Sequence, residues 1–237
     1  MRQVMGKSKT VVILQSSYIP WKGYFDLIRM ADQFILYDDV QFTKRDWRNR
    51  NRIKTSSGLQ WLTIPVLTRG RFTQKISECT VSDSGWAASH WKAISMAYAR
   101  AEHFRPLKAI FENAYMTLKE TSLSQINYHF IKIICSFLKI ETPLRWSMDY
   151  SSITGVKTER LVSLCRAAGA TRYLSGPSAK DYIEPALFKA AGIDLDYMTY
   201  EGYPEYRQLF GPFEHHVSIL DLLFNEGPEA IRFMKGF

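Results

Sequence analysis

The stretch DDVQFTKRDWRNRNRIKT, residues 38–55, combines paired aspartates with closely spaced cations and amides. Residues 43–55 contain six lysines and arginines against one aspartate, and so hold +5 of the net charge of +8. Forked guanidinium groups and side-chain amides suit the oxygens of a phosphate or carboxylate. This local charge favours a site for one anionic small molecule over a nucleic-acid surface, although a solvated basic loop would look the same.

The paired aspartates, Asp38 and Asp39, are open to three interpretations. One carboxylate could act as a general base, the pair could hold a divalent cation between phosphates, or both could anchor the arginines through ion pairs. Adjacent residues of a strand point to opposite faces, so at most one of the two faces a site directly. The sequence leaves open which one does.

A second stretch, YLSGPSAKDY, has the composition of an anion-binding turn. Ser175 and Ser178 supply hydroxyl groups, Gly176 permits close approach of the backbone, and Lys180 supplies a point charge. The stretch is not a Walker motif, and an ordinary strand-to-helix turn would have a similar composition.

Other reactive side chains are assigned to structural roles. The pair His215–His216 has no suitably spaced third metal ligand, and Cys165 lies on the apolar face of a predicted helix. The three cysteines form no C-x-x-C pair, which predicts reduced thiols. No run approaches the roughly 20 apolar residues of a membrane span, so a cytoplasmic protein without such a span is expected.

These residues need a scaffold, and hydrophobic patterning predicts one in which strands and helices alternate. VVILQ and QFILYDDV, residues 11–15 and 33–40, are typical of strands buried on both faces, and a short amphipathic helix separates them. A similar alternation follows later, with a helix ending at Gly169, the strand TRYLSG, and a helix that begins at Pro185.

The intervening segment has helical periodicity and predicts two or three helices, whose aromatic row is assigned to the core: Trp86, Trp91, Tyr98, Phe104, Phe111 and Tyr115. The predicted fold class is therefore α/β, with a Rossmann-like, mostly parallel sheet flanked by helices. We expect a single domain over residues 1–237, with a core of about 10–85 and 145–237 and a helical insertion of about 86–142. Ligand crevices form at the carboxyl ends of such strands, where residues 15–23, 38–54 and 175–181 are expected to converge.

Five runs resemble the WbqC-like protein family across nearly the whole chain: LQSSYIPWKGYFDLI, ADQFILYDDVQFTKRDWRNRNRIK, WLTIPV, ERLVSLCRAAGATRYLSGPSAKDY and SILDLLFNEGP. Members of this family occur in bacterial O-antigen and related polysaccharide gene clusters. The resemblance implies a transferase that moves an acyl or aminoacyl group, such as glycine, to an amine such as an amino sugar. The chain departs from the usual motif at Ser16–Ser17, which leaves the ligand's fine specificity open.

The motif residues and the charge pattern together give the predicted site. Catalytic roles are assigned to Asp39, Asp38, Lys180 and Asp181, with Asp39 the preferred base and Lys180 assisting an oxyanion. Substrate binding is assigned to Gln15, Tyr18, Gly23, Tyr24, Gln41, Lys44, Arg45, Trp47, Arg48, Asn49, Arg50, Arg52, Lys54, Ser175, Gly176 and Ser178.

The same reasoning predicts the ligands. No metal or cofactor is required, and the donor would be a thioester of coenzyme A or of an acyl carrier protein. The anionic substrate is expected to be a nucleotide-sugar or a phosphopantetheine thioester, and no nucleic acid is expected as a partner.

A second likeness concerns the turn IPWKGYF, which resembles the turn that opens a helix in HIGH-type nucleotidyltransferases. Tyr24 stands where those enzymes have their second histidine, and Gly23 would let a phosphate approach the helix N-terminus. Two alternatives to the transferase therefore stay open. One is a nucleotidyltransferase-like enzyme acting on a phosphorylated substrate, and the other is a non-catalytic protein that binds an anionic ligand.

Overall fold

The computed structural model describes residues 8–237, which divide into two compact units. The first comprises the described residues up to Leu14, then Leu27–Tyr37 and Glu141–Glu201. The second comprises Gln15–Asp26, Asp38–Ile140 and Gly202–Phe237. The expectation of a single domain with a helical insertion stays a prediction.

Seven strands and seven α-helices occur within the described residues. The strands are β1 Thr10–Leu14, β2 Gln33–Leu36, β3 Arg50–Thr55, β4 Gly58–Thr63, β5 Leu144–Trp146, β6 Arg172–Ser175 and β7 Asp194–Tyr197. The helices are α1 Lys22–Arg29, α2 Trp86–Tyr98, α3 Phe104–Met116, α4 Leu123–Phe137, α5 Lys157–Ala167, α6 Pro185–Ala190 and α7 Ile219–Glu226. None of these helices is long and apolar enough to cross a bilayer.

The first unit contains a five-stranded sheet in the order β5-β2-β1-β6-β7, and every pairing in it is parallel. Strand β1 pairs with β2 in the register Val11 to Gln33 through Leu14 to Leu36. After their first residues, Thr10 and Gln33, both strands are continuous apolar runs, as expected where a sheet is covered on both faces. The predicted α/β class with a Rossmann-like parallel sheet is therefore confirmed.

Helix α5 shows why this sequence folds as predicted in the first unit. Leu161, Leu164 and Cys165 recur at helical spacing and are buried in the core that also contains strand residues such as Val11. The helix stops before Gly169, which has φ +67°, a left-handed conformation that glycine adopts without a Cβ clash. Cys165 is therefore a core thiol, as expected, and burial raises its pKa to about 12.

The second unit contains α2, α3, α4 and α7 together with the β3–β4 hairpin. Its core is aromatic: ring pairs join Tyr18 to Trp86, Tyr115 to Phe130, and Phe224 to neighbouring rings. The aromatic row predicted for the core is buried throughout, from Trp86 to Tyr115. Three helices occupy the segment for which two or three were predicted.

Two local features differ from the sequence expectation. Strand β2 ends at Leu36 and does not extend to Asp38 and Asp39, because the chain beyond it pairs elsewhere: the Asp38 carbonyl accepts a hydrogen bond of 2.9 Å from the Ser77 N–H. In addition, the second half of the basic stretch, for which no element was predicted from the sequence, forms strand β3 of an antiparallel hairpin.

Candidate anion-binding site

The β3–β4 hairpin gives the basic stretch its geometry. Residues alternate between the two faces of a strand, so Arg50, Arg52 and Lys54 share one face. Asn51 points to the opposite face and is 2% exposed. Across the hairpin, Arg52 lies opposite Trp61, which places an aromatic ring beside the cations.

Two arginines and two tryptophans form an exposed cluster on this face. The Arg50 guanidinium carbon lies 4.0 Å from the centre of the Trp61 ring. The Arg52 guanidinium carbon lies 5.6 Å from the Trp47 ring centre and 5.5 Å from that of Trp61. Trp47 and Trp61 are 39% and 41% exposed. Arginine on a tryptophan face gains a cation–π attraction and also loses side-chain freedom.

Backbone carbonyls fix these two guanidinium groups further. Arg50 donates from Nη2 to the Arg45 carbonyl, and Arg52 donates from Nη2 to the His216 carbonyl at 2.8 Å. The Nε atoms of Arg50 and Arg52 are buried and have no hydrogen-bond partner among the described residues. Each arginine is thus held in place with a donor unused.

Arg48 lies deeper than its neighbours and is only 8% exposed. Its Nε and Nη1 atoms have no hydrogen-bond partner in residues 8–237, and the nearest paired acid, Asp46, lies 3.9 Å from Nε. Its carbonyl accepts a hydrogen bond of 2.9 Å from the Asn127 side chain on α4. Buried donors without partners are costly, and an anion that accepted them would remove that cost.

Asp38 lies in the same buried cluster and is fully enclosed. Its carboxylate accepts the Ser16 N–H at 2.8 Å and the Ser124 hydroxyl, while Asn127 donates to the Ser16 hydroxyl at 2.9 Å. Burial raises the pKa of Asp38, and the hydrogen bonds from Ser124 and Ser16 and the charge of Arg48 oppose that rise. Asp39 is only half-buried.

The N-terminal stretch joins the basic stretch through backbone contacts. Asn51 donates from Nδ2 to the carbonyls of Tyr18 and Ile19, at 3.1 and 2.9 Å, and the Tyr18 N–H donates to the Trp47 carbonyl at 3.1 Å. The structure therefore brings residues 15–23 and 38–54 together.

The side chains of that N-terminal stretch mostly face the protein. Tyr18 is fully buried, and the Tyr24 hydroxyl donates to the carbonyl of half-buried Gln15 at 3.1 Å. A Cβ at Gly23 would collide with the Trp21 ring. Trp21 thus occupies the space over Gly23 in which a phosphate was expected to approach the helix.

Lys54 has its charge engaged within the protein. Its Nζ donates to the Gln208 side chain and to the Pro212 carbonyl, and the charge of Asp221 acts on it. Burial lowers its pKa, and Asp221 opposes that shift. Asp221 in turn accepts hydrogen bonds from Tyr98 at 2.9 Å and Tyr206 at 2.8 Å. Lys54 therefore ties the hairpin to the C-terminal segment.

The remaining predicted residues of the basic stretch precede strand β3. Asn49 is buried and donates to the Ile64 carbonyl at 2.8 Å. Gln41 donates from Nε2 to the Phe72 carbonyl at 2.9 Å. Lys44 and Arg45 are exposed.

The serine-glycine stretch belongs to the first unit. Ser175 is buried at the end of β6, where its hydroxyl accepts from Tyr173 at 3.4 Å, and Gly176 precedes a 3₁₀ helix over Pro177–Asp181. The exposed members of the set are Ser178, Lys180 and Asp181. The Lys180 ammonium lies 5.4 Å from the centre of the Tyr197 ring. The expected convergence of this stretch with the other two stays a prediction.

Several residues of the site were not identified from the sequence. Ser124 and Asn127 lie on α4, about 80 residues from the basic stretch, and no local pattern points to them. Trp61 could have been found, because the turn residues SSG between RNRIKT and LQWLTI, a run with strand-favouring Trp, Thr and Ile, are a hairpin signal. Gly58, with φ +103°, closes that turn.

A family model described as the WbqC-like protein family matches residues 15–233, and the chain belongs to that family. It is 51% identical over 227 residues to a Mycobacterium tuberculosis protein named "Uncharacterized protein Rv1507c", covering 96% of this chain and 98% of that protein. No solved structure matched.

Proposed function

We propose that this protein is a transferase of bacterial polysaccharide or related biosynthesis, which joins an acyl or aminoacyl group from an activated donor to an amine such as an amino sugar. Membership of the WbqC-like family supports this role at the level of the family. The observation that carries the proposal is the set of three arginines, Arg48, Arg50 and Arg52, each with at least one buried guanidinium nitrogen that lacks a partner among residues 8–237.

The arginines suit the phosphates of such substrates. Arg50 and Arg52 are held by ring stacking and by backbone carbonyls, so a diphosphate would meet donors that are already ordered. Guanidinium groups bind phosphate oxygens with paired hydrogen bonds, which a flexible lysine cannot match. The exposed faces of Trp47 and Trp61 would stack on a base or on a sugar ring beside those phosphates.

The two aspartates would have different roles, one structural and one catalytic. Asp38 is enclosed by Ser16 and Ser124, so its role is to hold the cluster around Arg48. Asp39 is half-buried and follows directly, which makes it the proposed base. The acceptor amine would attack the acyl carbonyl and form a C–N bond as the bond to the donor's leaving group breaks. The proton lost by nitrogen would pass to Asp39 and then to the leaving thiolate.

Lys180 and Asp181 keep their proposed catalytic assignment, with Lys180 at the oxyanion. Both side chains are exposed on the 3₁₀ helix of the first unit. Lys180 is a point charge that would stabilise a developing negative oxygen.

The experiment is a donor-by-acceptor screen. Purified protein is incubated with acyl and aminoacyl thioesters of coenzyme A, or with a loaded carrier protein, and with UDP-linked amino sugars. Thiol release is followed by absorbance and the acceptor product by mass spectrometry. The expected result is a product heavier by the acyl group, formed at the rate of thiol release. Arg50→Gln/Arg52→Gln should raise the KM for the nucleotide-sugar, whereas Arg105→Gln, an exposed arginine on α3, should not.

Other outcomes would identify the alternatives. Release of pyrophosphate from a nucleoside triphosphate would show a nucleotidyltransferase. Thermal stabilisation by the nucleotide-sugar without turnover of any donor would show a binding protein.

A further inference from the structure

An exposed phenylalanine lies within a group of cations in the second unit. Phe72 is 76% exposed, which is unusual for a large apolar side chain. The exposed cations of the two segments 40–45 and 67–75 form what we call the basic lip: Lys44, Arg45, Arg69, Arg71 and Lys75. None of these five side chains makes a salt bridge to an aspartate or glutamate among residues 8–237.

Hydrogen bonds hold the two segments of the basic lip together. Gln41 forms an antiparallel bridge with Lys75, and the Phe42 N–H donates to the Gln74 carbonyl at 2.9 Å. Gln41 also donates to the Phe72 carbonyl, and the Lys44 ammonium lies 5.8 Å from the Phe72 ring centre. The turn at the tip is closed by the Arg71 N–H, which donates to the Thr68 carbonyl at 3.2 Å.

The charge of the basic lip is of one sign. Residues 40–45 and 67–75 contain five lysines and arginines and no aspartate or glutamate. Leu67, at the base of the tip, is a second exposed apolar residue, with 40% of its surface accessible. Exposed cations together with an exposed aromatic side chain complement a surface that is anionic outside and apolar beneath.

We propose that the basic lip docks this protein on an anionic lipid bilayer, with the Phe72 ring inserted at the level of the headgroups. Each lysine or arginine near such a surface contributes about a fivefold increase in binding, and burial of the ring adds a similar or larger factor. Single contributions of this size give weak, reversible association, so the five cations and Phe72 would act together.

The test measures partitioning onto large vesicles, by co-sedimentation, with the full chain. Vesicles of phosphatidylglycerol mixed with phosphatidylcholine should bind the protein, and vesicles of phosphatidylcholine alone should not. Phe72→Ser should lower the partition coefficient about fivefold or more, and Arg69→Glu/Arg71→Glu at least about tenfold. The matched controls are Met96→Ser, at a position 75% exposed on α2, and Arg105→Glu/Lys119→Glu, which should bind as the wild type does. Circular dichroism verifies that each variant is folded.

Insertion is read separately with an environment-sensitive dye. The three native cysteines are buried, so a dye can be directed to Phe72→Cys, or to Met96→Cys as the control. Anionic vesicles should shift the emission of the dye at position 72 to the blue and leave that at position 96 unchanged. The proposal is overturned if wild type fails to bind anionic vesicles, if Phe72→Ser binds equally well, or if the lip variants lose affinity only for a single-stranded oligonucleotide.

Discussion

The hydroxyl oxygen of Tyr18 lies 2.9 Å from Nδ1 of His90, within the aromatic core of the second unit. His90 is 7% exposed, and burial lowers its pKa to about 4, although a hydrogen bond with the Thr63 backbone opposes the shift. The imidazole is therefore neutral in the folded protein at pH values where it would be partly charged in the unfolded chain. This linkage makes stability dependent on pH.

The first prediction follows from that shift. The pKa of His90 in the folded protein lies below the usual value of 6.5. The contribution of the neutral imidazole to the free energy of unfolding is therefore complete above pH 6.5 and is lost as the pH falls towards 4. The loss would reach about 3 kcal/mol of unfolding free energy. Urea unfolding of His90→Gln between pH 7 and pH 4 should show a flatter pH dependence than the wild type. His216→Gln, at an exposed position, should keep the wild-type slope, and equal slopes in all three proteins would refute the assignment.

The second prediction concerns Arg48. Arg48→Ala, alone or with Arg45→Ala, should weaken the binding of a nucleotide-sugar or phosphopantetheine compound at least tenfold, because the buried donors are lost. The loss should shrink as ionic strength rises, since salt weakens the wild-type complex as well. Titration calorimetry at 50 and 500 mM NaCl measures both effects. Unchanged affinity at low salt would place the ligand elsewhere.

The third prediction separates Asp38 from Asp39. Asp39→Asn should lower turnover about 10²-fold or more and leave the unfolding midpoint unchanged, as expected for a positioned base. Asp38→Asn should lower the midpoint, because an amide has one acceptor oxygen where the carboxylate has two for the Ser16 N–H and the Ser124 hydroxyl. The variant also lacks the negative charge on which Arg48 acts. Asp83→Asn, at an exposed position, serves as the control. Full activity in both variants would assign the pair to the scaffold.

The fourth prediction is that no thiol takes part in the chemistry. Cys165 is fully buried and burial raises its pKa to about 12, so a thiolate is not available at neutral pH. Cys165→Ser should keep its activity, with some loss of stability from placing a hydroxyl in an apolar core. A folded but inactive Cys165→Ser protein would instead indicate a covalent intermediate.

The fifth prediction concerns Gly23. Gly23→Ala places a methyl group against the Trp21 ring and should cost about 1–3 kcal/mol of stability, the range typical of overpacking. In a Trp21→Leu background the same change should cost much less, because the ring is gone. Thermal unfolding of the four proteins measures the coupling between the two positions. Additive effects would show that the ring moves aside freely.

The fold could be predicted where the hydrophobic pattern of the sequence matches the burial of the same residues in the structure. Strands β1 and β2 are apolar after their first residues, and α5 repeats Leu161, Leu164 and Cys165 at helical spacing before a glycine stop. Local sequence and tertiary context therefore favour the same structure. The prediction that strand β2 extends to Asp38 was wrong, because there the local pattern and the tertiary context favour different structures. A buried carboxylate needs hydrogen-bond donors, and Ser16 and Ser124 supply them from distant parts of the chain.

The site was predictable in its residue types and less so in their arrangement. The cations of residues 43–55 are visible as a charge pattern, but the pattern does not show that Lys54 is engaged by Gln208 while Arg48 keeps unused donors. That difference depends on segments that are remote in the sequence. Trp61 was overlooked because the hairpin register that places it opposite Arg52 was not assigned.

Strand β3 has consequences for how this segment can change during evolution. Asn51 and Ile53 face inwards, where the Asn51 amide holds the Tyr18 and Ile19 carbonyls, while Arg50 and Arg52 face the opposite way. Inserting or deleting one residue between positions 49 and 53 would exchange these two faces, burying guanidinium groups and exposing the amide. Single substitutions would alter one contact each. The segment should therefore tolerate changes of residue type across relatives far better than changes of length.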